Sequence, residues 1–140
     1  MKYLLDTNVL SELVKPKPAA KVARWLSRRS TLDLSISCLT IGEILSGIRL
    51  LPAGGARRLE LEAWVAHDLT DRFRGRIHAI GTDVAEVWGR LVAEAKLSGR
   101  PLPVIDGLLL ATAAVHRLTF VTRNEADCRD RSVPVLNPWT

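Results

Sequence analysis

Acidic side chains in this chain sit where apolar segments end. Asp6 closes the run Tyr3-Leu4-Leu5, Glu43 lies early in the apolar stretch from Leu39 to Leu51, and Asp106 is the only charge between Pro101 and His116. Asn124 and Asp127 follow the strand-like Leu118-Thr119-Phe120-Val121. In a parallel α/β sheet the carboxyl ends of strands form the ligand crevice. Carboxylates gathered there repel one another unless a cation lies between them, and a hard divalent ion with oxygen ligands is the usual answer. The pattern therefore points to metal-dependent chemistry.

Each position also has a purely structural explanation. Asp6 is placed to cap a helix beginning near Asn8. Glu43, three residues after Thr40, fits a capping box and complements a helix dipole. Asn124 and Asp127 suit a turn. Asp106 is harder to dismiss: it stands alone inside Val104-Ile105-Asp106-Gly107-Leu108-Leu109-Leu110. A buried carboxylate is costly without a partner, so it must cap, pair or meet a cation. Thr7 and Asn8, directly after Asp6, supply the hydroxyl and amide that orient a ligating carboxylate. The signal is the joint placement of these residues at successive strand ends.

The elements that must position them alternate. Lys2 to Leu5 reads as a strand, followed by helices from Asn8 to Val14 and from Ala19 to Arg29, separated by Lys15-Pro16-Lys17-Pro18. Leu32 to Ile36 alternates as a strand does, and Thr40 to Leu51 is helical until Pro52 and Gly54-Gly55. One helix is expected from Ala56 to Phe73, with Leu61, Trp64, Val65, Leu69 and Phe73 on one face. After a third strand, Arg76 to Ile80, Thr82 is placed to cap a long helix striped by Val84, Val87, Trp88, Leu91, Val92 and Ala95. Pro103 to Arg117, apolar nearly all round, predicts a buried helix. Leu118 to Val121 and Val133 to Leu136 complete five strands. Such alternation implies an α/β domain over residues 1–140, with a mostly parallel sheet of about five strands flanked by helices.

Composition bounds the rest. The 140 residues carry 47% hydrophobic and 25% charged side chains, enough for one domain with its own core. No apolar stretch approaches the ~20 residues of a membrane span, and Lys2 to Asp6 reads as a strand rather than a signal peptide. Cys38 and Cys128 form a lone pair without metal-type spacing, which suits a reducing cytoplasm. His67, His78 and His116 show no ligand spacing either. The net charge is +5, fifteen of the basic residues are arginines against five lysines, and the isoelectric point is about 9.8. Arg28-Arg29, Arg57-Arg58 and the series Arg72, Arg74, Arg76 are the densest clusters, and guanidinium forks suit phosphate.

Together the motifs resemble the PIN-domain ribonucleases, specifically the VapC-type toxins of bacterial toxin–antitoxin pairs. Tyr3-Leu4-Leu5-Asp6-Thr7-Asn8 resembles that family's opening motif, Thr40-Ile41-Gly42-Glu43 its second and Asp106 to Ala113 its third. Val121-Thr122-Arg123-Asn124-Glu125-Ala126-Asp127 resembles the fourth, and the closing Val135-Leu136-Asn137-Pro138-Trp139 is similar to the FitB-like subgroup. The resemblance implies a metal-dependent endoribonuclease in which Asp6, Glu43 and Asp106 hold Mg²⁺ or Mn²⁺. Asn124 stands at the fourth, often acidic position; Asn124 or Asp127 fills it, with Thr7 and Asn8 in support. It also implies an RNA substrate, a small inhibitory antitoxin, a homodimer that forms a larger hetero-oligomer with that antitoxin, and operator DNA bound only through the antitoxin. The antitoxin groove is expected along Val9, Leu10, Leu13, Val22, Trp25 and Leu26. Two other readings remain: a PIN-fold binding module without cleavage, and a phosphatase using Asp6 as nucleophile. The phosphatase class expects a second Asp where Asn8 stands.

Overall fold

The apolar triplet at the N-terminus becomes the central strand. In the computed structural model, which describes residues 1–140, β1 (Tyr3–Leu5) lies in a five-stranded sheet of order β3-β2-β1-β4-β5. Its companions are β2 (Leu34–Ser37), β3 (Ile77–His78), β4 (Thr119–Val121) and β5 (Val135–Leu136), all parallel. Tyr3 pairs with Leu34 on one side and Thr119 on the other, and Leu5 pairs with Val121. Successive strand residues face opposite sides. Leu5 accordingly joins a core with Ile36 and Val121, while Leu4 joins one with Phe120 and Leu109.

Helices cover both faces: α1 (Thr7–Leu13), α2 (Ala20–Ser27), α3 (Cys38–Arg49) and α4 (Ala56–Ala63), then α5 (Thr70–Arg72), α6 (Thr82–Leu97), α7 (Val104–His116) and α8 (Glu125–Cys128). From β1 the chain builds β2 and β3 to one side and β4 and β5 to the other. The switch in strand order therefore falls between β1 and β4, where a parallel sheet opens a crevice at its carboxyl edge.

Several local expectations change. The helix from Ala56 is not uniform: Trp64–Leu69 widens into a π-helical stretch, with the Thr70 hydroxyl donating to the Val65 carbonyl at 2.8 Å. Gly81, not Thr82, occupies the cap position of α6, and Asp83 Oδ1 accepts from the Val84 amide at 2.8 Å. Helix α3 starts at Cys38, so Ser37 is its cap, accepting from the Leu39 amide at 3.1 Å. Thr40 is fully buried inside the first turn and forms no capping box with Glu43. Helix α7 is buried as expected, with Leu109 to Ala113 buried through more than a full turn and only its terminal residues, Val104 and His116, exposed. The strands are shorter than the sequence suggested, with Thr31–Asp33 forming a 3₁₀ turn before β2. Finally, Val9, Val22 and Leu26 are core residues, so they do not line an open groove: α1 and α2 both pack on the same sheet face.

Candidate active site

Asp6 ends β1 in extended conformation and caps α1, its Oδ1 accepting from the Thr7 amide at 2.7 Å. Its Oδ2 accepts from the Thr122 hydroxyl at 2.7 Å and from Asn8 Nδ2 at 3.2 Å. Thr122 follows β4 and is fully buried. Its oxygen also accepts from the Asn124 amide at 3.0 Å, and Asn8 Oδ1 accepts from the Arg123 amide at 3.4 Å. These bonds stitch the carboxyl ends of β1 and β4 together, so Asp6 is both cap and site residue.

Glu43 lies in the second turn of α3 and is exposed. Its Oε1 accepts from the Thr7 hydroxyl at 2.6 Å, which turns the carboxylate toward Asp6. Asp106, in the first turn of α7, is half-buried, and its Oδ2 accepts from Asn124 Nδ2 at 3.0 Å. The same nitrogen donates to Asp127 Oδ2 at 3.0 Å. The side chain of Asn124 thus meets the acids through its amide nitrogen, as two neighbouring carboxylates require, and bridges Asp106 to Asp127. Gly107 serves packing: a Cβ there would lie 3.1 Å from the Trp88 ring, so its absence lets α6 and α7 approach.

Sequence reasoning missed the supports on the far side of α8. Arg131, 8% exposed, donates to the Asp127 carbonyl and to the Arg100 carbonyl. Arg100 in turn donates to the carbonyls of Ala126 and Arg129. A four-residue helix is marginal by itself, so two guanidinium groups hold it, and with it Asp127. No local pattern announces this; an arginine between Asp130 and Ser132 reads as surface. Thr122 was quoted within the fourth motif, but its bond to Asp6 depends on strand pairing.

The electrostatics follow from this crowding. Burial pushes Asp6 up to about 6, with Asp106 and Glu43 adding to the rise and the hydrogen bonds from Thr122 and Thr7 opposing it. Burial also raises Asp106, with Asp127 and Glu43 adding and the Asn124 bond opposing. The Cys128 thiol is pushed up to about 12, first by burial and then by Asp106, Asp6 and Asp127. Asp6 therefore feels Asp106 and Glu43, and Asp106 feels Asp127 and Glu43. No three His, Cys, Asp or Glu side chains converge closely enough to grip one ion directly. An all-oxygen donor set of this kind suits a Mg²⁺- or Mn²⁺-type ion that retains several of its waters, and such a charge would relieve the mutual repulsion. His78 and His116 stack on each other at 4.2 Å instead of joining the acids.

Beside Thr7 and Glu43 opens a cavity of about 230 Å³ walled by Ile44, Ile48, Leu61 and Trp64. Leu10 and Leu13 line another, of about 280 Å³, with Trp64, Leu69 and Phe73.

Residues 3–129 match the model of the PIN domain. The chain belongs to the PIN-domain family. Toxin FitB of Neisseria gonorrhoeae (strain ATCC 700825 / FA 1090) is 34% identical over 136 residues, 97% of either chain. VapC ribonuclease Y4jK of Sinorhizobium fredii (strain NBRC 101917 / NGR234) is 31% identical over 136 residues, covering 97% of this chain and 96% of that one. A chain in a solved structure of FitAB bound to an IR36 DNA fragment superposes with a TM-score of 0.94 at 33% identity, covering 99% of this chain and 96% of its own. Within the family this PIN domain groups with the FitB- and VapC-type toxins. No helix of the PIN domain is long and apolar enough to cross a membrane.

Proposed function

We propose that this PIN domain is a metal-dependent endoribonuclease acting on cytoplasmic RNA as the toxin of a toxin–antitoxin pair. The observation that carries the reading is the hydrogen-bond network at the switch point: Thr7 bonds both Asp6 and Glu43, Thr122 bonds Asp6 and the Asn124 amide, and the Asn124 side chain bonds Asp106. The names of the FitB toxin and the VapC ribonuclease support it.

Asp6, Glu43 and Asp106 would hold Mg²⁺ or Mn²⁺. When bound, the ion supplies Lewis-acid stabilisation of a phosphodiester and a water acidic enough to attack it. The chain's own residues prepare that chemistry. Thr122, Thr7 and Asn8 fix both oxygens of Asp6, and Thr7 also aims Glu43. Asn124 holds Asp106 beside Asp127 without adding charge, and Arg123, next in sequence, is available to a phosphate. The apolar cavities along α1, α3 and α4 are the seat for an antitoxin segment. The chain would form a homodimer and a larger hetero-oligomer that reaches operator DNA through the partner; that FitAB has been seen bound to an IR36 DNA fragment supports a complex on DNA.

The test is RNA cleavage with and without Mg²⁺ by wild type and by Asp106→Ala, each checked for folding by circular dichroism. Metal-dependent cleavage lost in the folded variant supports the assignment. Full cleavage by that variant sinks it. Because Asn124 brings no negative charge to the fourth position, a cleavage-free binding module is the second reading. Antitoxin binding without any Mg²⁺-dependent cleavage by wild type would favour it.

A further inference from the structure

Four cations surround one open cavity, and none of them has an acidic partner. The cavity, of about 390 Å³, lies between Lys21, Arg24, Arg28 and Arg29 with Trp25 on one wall and the segment Leu136 to Thr140 on the other. The ion pairs of the chain all lie elsewhere, at Lys15, Arg57, Arg58 and Arg74. Arg29 is held in place: its guanidinium stacks over Trp25 at 4.9 Å and Tyr3 at 5.8 Å, and those two rings meet edge to face at 5.0 Å. Its Nε is nevertheless buried with no hydrogen-bond partner, an unmet donor beside an uncompensated cluster of positive charge.

The geometry of α2 narrows the choice of anion. Val22 and Leu26 are buried, whereas Lys21, Arg24 and Arg28 are exposed at spacings that put them in one row. At about 1.5 Å per residue the row runs ~10 Å. A row of that length is long enough to meet more than one phosphate of a single strand. A lone phosphate would need one fork; a row with a half-buried Trp beside it suits a strand with bases to stack. The groove also leads to the acids. Within the segment that forms its far wall, the Trp139 ring lies under the Arg123 guanidinium at 5.3 Å. The Arg123 amide is bonded to Asn8 beside Asp6, and Asn124 is the next residue.

We propose that this groove binds the backbone of single-stranded RNA that flanks the scissile bond, as a docking site outside the acidic centre; the inference rests on the ribonuclease reading. The experiment is fluorescence anisotropy of a labelled ~20-nucleotide single-stranded RNA with the full chain in EDTA, where the acids repel RNA and no cleavage occurs. Wild type is compared with Lys21→Gln and with Arg24→Gln/Arg28→Gln, their folding checked by thermal melts. Each lost phosphate contact lowers the slope of log affinity against log salt by about 0.7. The double variant should lose about 1.4 of slope, so across a fourfold rise in salt wild-type affinity falls about sevenfold more than the variant's. Lys21→Gln should show half that change in slope. Equal affinities and slopes, in a wild-type chain that cleaves RNA with Mg²⁺, overturn the groove alone. A wild-type chain that neither cleaves nor binds RNA overturns the ribonuclease reading as well. A double variant that loses antitoxin binding while its RNA binding is intact assigns the groove to the protein partner and overturns the inference.

Discussion

Replacing Asp6 with Asn in metal-free buffer separates a strained acidic site from an ordinary helix cap. Folding raises Asp6 from 3.8 to about 6, chiefly through burial. An acid raised on folding binds its proton more tightly in the folded state, so its stabilisation is full below the unfolded value and is lost as pH climbs through the folded one. The window therefore runs from about pH 4 to pH 6, and a shift of roughly two units corresponds to about 3 kcal/mol. Asp6→Asn removes that loss. The introduced amide keeps an oxygen for the Thr7 amide but forfeits an acceptor for Thr122 or Asn8, a cost of about 1 kcal/mol. The variant should equal or slightly trail wild type at about pH 3 and exceed it by about 2 kcal/mol at pH 7.5, near 6 °C in melting temperature. Calorimetric melts in EDTA from pH 3 to 8 measure both curves. Added Mg²⁺ at a hundred times its dissociation constant should raise wild type by about 2.7 kcal/mol and the variant by less. A variant that melts below wild type at pH 7.5, or whose difference ignores pH, refutes the reasoning.

Asn124→Asp replaces a donor that lies 3.0 Å from both Asp106 Oδ2 and Asp127 Oδ2 with a third negative charge. It should lower the melting temperature in EDTA and recover with Mg²⁺, as differential scanning fluorimetry reads directly; an unchanged melt in EDTA contradicts the bridge. Cys38 is exposed, whereas Cys128 is buried and its thiol pushed up to about 12, so a thiol reagent at pH 8 should titrate one cysteine in the folded chain and two in guanidinium. Rapid reaction of both in the folded chain would contradict that burial.

The site was legible in the sequence where a residue's neighbours announced its setting. Asp6 after Tyr3-Leu4-Leu5 and Asp106 inside an apolar run both stood at strand or helix ends because burying such runs leaves a charge nowhere else to go. Glu43 was found for a partly wrong reason. Thr40 read as the start of the helix and the partner of Glu43 in a capping box, whereas Ser37 caps α3 and Thr40 is buried. What holds Glu43 is the Thr7 hydroxyl, 36 residues away in sequence. The α8 helix was invisible because four residues carry no periodicity. The apolar faces of α1 and α2 looked surplus because nothing local says that two helices will share one sheet face. The π-helical stretch depends on a hydroxyl reaching back five residues, which a periodicity of 3.6 does not reveal.

The bond from Thr122 to Asp6 joins residues 116 positions apart, and it sets an order of events during synthesis. On the ribosome Asp6, Glu43 and Asp106 are all translated before β4, yet without it Asp6 lacks Thr122 and Asp106 lacks Asn124. At about 5–20 residues per second, the interval between Asp6 and Thr122 lasts on the order of ten seconds. Throughout that time the growing chain carries its acids without the strand that gathers them. A chain assembled in this way completes its acidic site only as its last strands pair.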